Sequence, residues 1–214
     1  MGLLSLLRRK EHATAPAPVE PQRAPARPTF TTDLSKLKLT GDWVLDPAHS
    51  SMGFAARHAM VTRVRGIFTD FEGHLHLDGE HPEFCWAQVR IQVGSIDTRV
   101  DQRDEHLRSP DFFDVERYPE ITFRSISAEQ TSEDSYQMTG ELAIKNQVRM
   151  VTMDLVYTGS VVDAFGVERV GFDGTTHINR TEWGLTWNAA LETGGVLVSE
   201  KIKLELDISA IRVS

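Results

Sequence analysis

The chain has 214 residues, 40% of them hydrophobic and 25% charged, so it can bury the core of one soluble domain. Its net charge of −8 argues against a nucleic-acid-binding surface, which is built from clustered Lys and Arg. No apolar run approaches the ~20 residues of a membrane-spanning helix. The one cysteine, Cys85, excludes an internal disulfide and a CxxC motif, and it is compatible with the cytoplasmic location that we expect.

Residues 1–38 differ in composition from the rest of the chain. The first 30 carry five Lys or Arg side chains against two Glu, and Ala and Pro dominate residues 13–28, which is typical of an extended linker. The first ten, MGLLSLLRRK, place the basic cluster after the apolar residues, the reverse of a secretory signal. We therefore predict a disordered tail and linker over 1–38. The alternative is a short amphipathic segment that touches a membrane surface or a partner.

Residues 39–214 form the predicted folded domain, in which apolar and polar residues alternate with the period of two that indicates half-buried strands. Turn signals such as Asp78-Gly79 separate them, and Gly73 is a candidate bend within one long strand. The predicted strands cover 41–47, 50–58, 64–77, 84–93, 120–127, 136–144, 151–159, 170–180 and 201–210.

An antiparallel sheet of about eight such strands exposes its edges unless it closes on itself. We therefore predict an all-β fold, an antiparallel eight-stranded barrel, whose interior is either packed with side chains or holds one small ligand.

One long insertion, Ser95 to Ser125, interrupts the strand pattern. Its polar segment 101–108 predicts a short solvated helix, which Ser109-Pro110 ends because a residue before proline disfavours the helical conformation. Phe112 and Phe113 follow as large apolar side chains. We expect the insertion to plug or gate one end of the barrel, with this Phe pair in contact with the lumen.

Several motifs of the chain resemble the YceI family. They include a Trp before an Asp-Pro-x-His-Ser start, a Gly-x-Phe-x-x-Phe-x-Gly strand, an Arg-Asp-x-His-Leu block that runs into Phe-Phe-Asp, and a following Tyr-Pro. The residues are Trp43, Asp46 to Ser50, Gly66, Phe68, Phe71, Gly73, Arg103 to Asp114, Tyr118-Pro119, Ile178 to Arg180, Gly184-Leu185 and Trp187-Asn188.

The resemblance extends from about Gly41 to Val213. It implies a lipocalin-like barrel that holds a polyisoprenoid or another long amphiphilic lipid in its lumen, with no cofactor, no metal and no established catalytic role. The chain departs from many relatives at Asn146 and Met150, where they have Gly and Pro, which indicates a different shape for the hairpin before Val151.

Lipid binding also has a physical basis in the residues themselves. Burial of apolar surface gains ~25 cal/mol per Å², so a closed barrel lined by apolar side chains can hold an apolar tail without specific polar contacts. For each candidate, ordinary core packing is the alternative. The lumen candidates are Phe71, Leu75, Val89, Ile91, Phe112, Phe113, Phe123, Met138, Leu142, Met153, Leu155, Leu204 and Leu206, and the candidates for contact with a lipid headgroup are His58, Arg63 and Arg65.

A catalytic use of the same cavity is the second hypothesis. A cyclase or isomerase could use His58, His106 or Tyr136 as its acid or base. A Ser-His-Asp triad of Ser109, His106 and Asp104 is less favoured, because these residues are crowded on one short element.

Two further alternatives concern metals and partners. His74 and His76, beside Glu72, have the spacing of metal ligands on one face of a strand. That face is the polar one, opposite the interior, so solvent exposure is the simpler explanation of these residues. The remaining hypothesis is an interaction protein that is tethered by its basic tail, and a homodimer is left open.

Overall fold

The computed structural model describes residues 38–192 and 194–213. Its one α-helix in these ranges, α1, spans Asp101–Arg108, and short 3-10 helices occupy Pro47–His49, Pro82–Phe84, Val93–Ser95 and Arg180–Trp183. The predicted short helix is confirmed. The strands are β1 Gly41–Leu45, β2 Ser51–His58, β3 Thr62–Phe68, β4 Phe71–Leu77, β5 Trp86–Gln92, β6 Ile96–Asp97, β7 Glu120–Gln130, β8 Ser135–Ile144, β9 Gln147–Val162, β10 Glu168–Asn179 and β11 Val198–Arg212.

Eight of these strands close into an antiparallel barrel. The order around it is β1-β4-β5-β7-β8-β9-β10-β11, and β11 pairs back onto β1 with Leu45 opposite Ala210. The predicted eight-stranded barrel is confirmed. Closure pairs every backbone edge of the barrel within the molecule, which is the physical reason that a chain of alternating strands adopts it.

Strand β11 is long enough to pair with more than its barrel neighbours. Its N-terminal half also pairs with β2, which carries β3 and then β6, so a small sheet extends from the barrel. At the tip of the β2-β3 hairpin, the backbone N–H of Ala59 donates to the carbonyl of Leu197 at 2.7 Å.

The prediction of one strand over 64–77 is wrong, because the chain turns at Thr69 and Asp70. Both backbone N–H groups donate to Ser95 Oγ, at 3.1 and 3.0 Å. The buried positions shift from Phe68 to Phe71 across this turn, a change of parity that one continuous strand cannot make. Gly73, the predicted bend, lies within β4.

Helix α1 is anchored by hydrogen bonds to the backbone that precedes it. The buried Asp104 accepts hydrogen bonds from the N–H and the hydroxyl of Thr98. Arg103 donates to the Thr98 carbonyl at 2.7 Å, and Arg108 donates to the carbonyls of Gly94 and Ile96 at 2.9 and 2.8 Å. These polar side chains therefore satisfy backbone groups of the insertion.

The insertion contacts the barrel at the β8-β9 turn. Lys145 Nζ donates to the carbonyl of Phe112 at 2.6 Å. Lys145 and Asn146 both have the left-handed backbone conformation of a two-residue hairpin turn, which agrees with the turn predicted there. The insertion thus lies at the end of the barrel that this turn helps to form.

A cluster of two carboxylates and one guanidinium links the start of the barrel to the β9-β10 turn. Arg169 donates to Asp46 and, at 2.9 Å, to Asp163. The hydrogen bond from Arg169 lowers the pKa of Asp46, an effect that outweighs the opposing influence of burial, and the same guanidinium lowers the pKa of Asp163.

These shifts predict a specific sensitivity to acid. A carboxyl group whose pKa is lower in the folded state contributes stability above its unfolded pKa of about 4, and that stability is lost as the pH falls through the folded value. We expect Asp46→Asn, which can still accept the N–H of Ala48, to reduce the drop in melting temperature between neutral and acidic pH. The measurement is thermal unfolding at both pH values, with Asp173→Asn as an exposed control. An unchanged drop in the Asp46 variant would contradict the prediction.

Candidate functional site

The barrel encloses a cavity with a volume of about 160 Å³. This is enough for on the order of ten water molecules, yet the walls are almost entirely apolar. A cavity with such walls gives water few hydrogen-bond partners and favours an apolar ligand.

Many side chains that point into the barrel remain incompletely buried. Val89, Leu155 and Leu206 all line the cavity and pack against the core, yet each keeps accessible surface on the inside. Close packing would have buried these side chains fully. The structure therefore favours a lumen with room over a core filled by its own side chains.

Ten of the thirteen lumen candidates line this cavity. Ligand binding by them stays a prediction, but the alternating pattern placed them on the correct face. They are Leu75, Val89, Ile91, Phe123, Met138, Leu142, Met153, Leu155, Leu204 and Leu206.

Phe71, Phe112 and Phe113 are not among the described residues that line the cavity. Phe71 and Phe112 are buried in the core. The ring of Phe112 packs against those of His106 and Trp187, with centroids 5.1 and 5.2 Å away. Phe113 meets the ring of Phe68 edge-on, 6.2 Å between centroids. These ring contacts lie outside the lumen, since Phe68 and Trp187 do not line it either.

Sequence reasoning missed several lining residues, some of which lie in a loop, where parity along a strand gives no prediction. Four of them, Asp78, Gly79, Pro82 and Cys85, belong to the connection between β4 and β5. These residues are partly exposed, so the cavity approaches the surface beside this connection, which we call the 78–85 loop. Other lining residues that were not among the lumen candidates are Leu39, Leu45, Met52, Leu77, Ala87, Ala128, Tyr136, Val151, Tyr157, Phe172 and Ile208.

The 78–85 loop supplies an ionisable group to the lining. Asp78 Oδ1 accepts the N–H groups of Glu80 and His81 at 2.9 and 2.8 Å. Burial is the largest single influence on Asp78 and raises its pKa, but these hydrogen bonds and the charges of His81 and His76 together bring the pKa below its usual value. Asp78 is therefore a carboxylate at neutral pH.

Cys85 faces the same end of the cavity. Burial raises the pKa of its thiol, so the neutral form predominates at pH 7. Its Sγ accepts the N–H of Asp78 at 3.1 Å. A neutral, partly buried thiol is a poor nucleophile, and the position is best explained by packing.

The headgroup candidates His58, Arg63 and Arg65 lie away from the cavity. All three are exposed on the β2-β3 hairpin, and within the described chain none of them lines the cavity. The hairpin tip lies beside Leu197, just before β11, whereas the 78–85 loop lies near the other end of that strand. The structure therefore does not bring these three residues together with the lumen.

The proposed acid-base residues are also dispersed. Of His58, His106 and Tyr136, the tyrosine is the one that lines the cavity. His106 Nε2 lies 3.0 Å from Asp111, and Ser109 Oγ donates to the backbone carbonyl of His106. Because Asp104 is instead bonded to Thr98, these side chains do not form the geometry of a catalytic triad.

His74 and His76 lie on the outer face of β4, as the alternation predicts. The ring of His76 stacks on Trp86 with 6.3 Å between centroids, and its Nδ1 lies 2.7 Å from Asp42. Across residues 38–192 and 194–213, no group of three or more His, Cys, Asp or Glu side chains has a spacing suited to a metal ion. In the same ranges, no helix is both long and apolar enough to span a bilayer.

An antiparallel barrel with an apolar lumen defines a class of small-ligand-binding β-barrel proteins. Residues 43–210 match the YceI-like domain family. A UPF0312 protein of Staphylococcus aureus (strain bovine RF122) is 34% identical over 167 residues, covering 77% of this chain and 94% of the relative. The chain therefore belongs to the YceI-like family.

Solved structures show the same fold. Burkholderia cenocepacia BcnA superposes with a TM-score of 0.69 at 22% identity, covering 77% of this chain and 98% of BcnA. A polyisoprenoid binding domain from Saccharophagus degradans, implicated in plant cell wall breakdown, superposes with a TM-score of 0.61 at 15% identity, covering 80% and 98%. At these identities the likeness concerns the fold.

Proposed function

We propose that the protein binds a polyisoprenoid or a similarly long amphiphilic lipid in its barrel, and stores or carries it without chemical change. The observation that carries the proposal is the apolar cavity whose inward side chains are incompletely buried. A binding role agrees with the family and with the polyisoprenoid binding domain that shares the fold.

The energetics favour a long apolar tail. Each methylene group that leaves water for such a lining gains about 0.8 kcal/mol, so several of them give useful affinity without a directed polar contact. The ionisable lining residue Asp78 lies in the 78–85 loop, so a polar headgroup is expected at that end while the tail occupies the interior.

The proposal predicts that freshly purified protein contains lipid. Native mass spectrometry should show a mass above that of the chain, and organic extraction should release the same molecule. Protein stripped of lipid should take up a long-chain polyprenol on incubation. A lumen that is empty after gentle purification and that takes up no polyprenol would overturn the proposal.

A further inference from the structure

The β2-β3 hairpin carries a charge opposite to that of the whole protein. From Ser51 to Phe68 the sequence contains three Arg and no Asp or Glu, although the net charge of the chain is −8. The hairpin branches from β11 and lies outside the eight strands that close the barrel. Its three arginines are exposed, so the positive charge is concentrated on one surface element.

Two of the arginines repel each other across the hairpin. Arg57 and Arg63 are directly opposite in the strand register, and both are exposed. Like charges at such a pair of positions are destabilising. No carboxylate in the described ranges lies within ion-pair distance of either guanidinium. The pair therefore costs stability without an evident structural gain.

The same face continues onto the neighbouring strand β11 with charges of both signs. Arg65 is opposite Ala55, which is in turn opposite Lys203 of β11. Glu205 lies 2.8 Å from Lys203 and 3.8 Å from Arg65, and the pKa of Glu205 is lowered chiefly by the hydrogen bond from Lys203, with Arg65 and Arg63 contributing. One carboxylate thus sits among several cations. Lys201 adds to them, while Glu200 and Asp207 are the other acidic residues of this strand segment.

The tip of the hairpin is apolar and is held in an unfavourable conformation. Ala59 and Met60 have φ angles of 49° and 59°. This is the left-handed region that Asn and Gly adopt most readily in such a turn. The side chains of Met60 and Val61 are exposed, with relative accessibilities of 59% and 77%. The turn therefore combines an unfavourable backbone conformation with exposed apolar side chains. Both features reduce stability, and such features are common at functional positions.

We propose that this hairpin docks the protein onto an anionic lipid bilayer. Met60 and Val61 enter the interfacial layer, and Arg57, Arg63 and Arg65 contact the lipid phosphates. The positive charge of the hairpin complements an anionic surface, although the protein as a whole is acidic, and the apolar tip distinguishes a bilayer from a soluble polyanion. The 78–85 loop lies away from this hairpin, so docking does not depend on the proposed lipid cargo.

The experiment is co-sedimentation of the full chain with vesicles. The protein should bind mixed phosphatidylglycerol and phosphatidylcholine vesicles, bind pure phosphatidylcholine vesicles weakly, and be released by salt. Each cation near such a surface contributes about a fivefold change in affinity, so Arg57→Gln, Arg63→Gln and Arg65→Gln together should lower binding about a hundredfold. Met60→Ser with Val61→Ser should lower it as well.

A matched control comes from the β9-β10 turn. Phe165 is more exposed than the hairpin tip, at 91%, but it is flanked by Asp163 and Glu168, so Phe165→Ser should leave vesicle binding unchanged. Circular dichroism melting verifies that each variant is folded. A second triple variant, Arg8→Gln, Arg9→Gln and Lys10→Gln, tests the basic tail.

Three outcomes would overturn the proposal. The first is that the folded hairpin triple variant sediments as well as the unmodified protein. The second is that the tail variant alone abolishes binding. The third is that neither vesicle type binds the protein.

Discussion

Replacing Met153 with Trp should lower the affinity for a long-chain lipid by about a hundredfold while the barrel stays folded. Met153 lies in the middle of β9, opposite Met138, and lines the cavity. Its side chain is only partly buried. An indole at this position fills space that the lipid tail would occupy. Exclusion of about four methylene groups costs about 3 kcal/mol of binding free energy.

The measurement is equilibrium binding of a long-chain polyprenol, with the melting temperature recorded in parallel. Met153→Leu is the control, because it nearly conserves volume and should change both affinity and stability little. Equal affinity in the Trp variant would show that the lipid binds somewhere other than the lumen. A large loss of stability in the Trp variant would show instead that the region is packed as a core.

The barrel itself could be predicted from the sequence, because its determinant is local. Alternation with a period of two selects strands, and a sheet that must bury one face and pair its edges closes. The error at Thr69 and Asp70 arose because the hydrogen bonds that stabilise the turn come from Ser95, which is distant in the sequence. A tertiary contact of this kind leaves no trace in a local pattern.

The cavity lining could be predicted only in part. Parity along each strand selected residues such as Val89 and Leu206, which do face the lumen. It could not say how deep along the barrel each residue lies, so Phe71 was included although it is buried outside the cavity lining. It also carried no information about the 78–85 loop, whose contribution depends on how the chain folds back over the barrel end.

The headgroup candidates show a different limit of sequence reasoning. His58, Arg63 and Arg65 were predicted to contact a lipid headgroup, but they do not line the cavity. Their distance from the lumen follows from the branching of the sheet at β11, which pairs with both β1 and β2. Since that branching depends on long-range pairing, the sequence predicted the chemistry of these residues but not what they face.

Replacing Trp183 with Ala should destabilise the fold by about 3 to 5 kcal/mol, the range found for large aromatic side chains removed from cores. The side chain is only 1% exposed, and its Nε1–H donates to the backbone carbonyl of Leu142 at 3.0 Å. Leu142 in turn lines the cavity. Loss of the indole therefore leaves a void in the core and removes one hydrogen bond to a backbone carbonyl.

The measurement is denaturant unfolding, with the free energy of unfolding as the result. Trp86→Ala is the matched control, because Trp86 is 39% exposed on the outer face and stacks on His76, so its loss should cost much less. Trp183 is the last residue of the 3-10 helix that follows β10, and the next residue, Gly184, has the left-handed backbone conformation. Equal losses of stability in the two Trp variants would contradict the prediction.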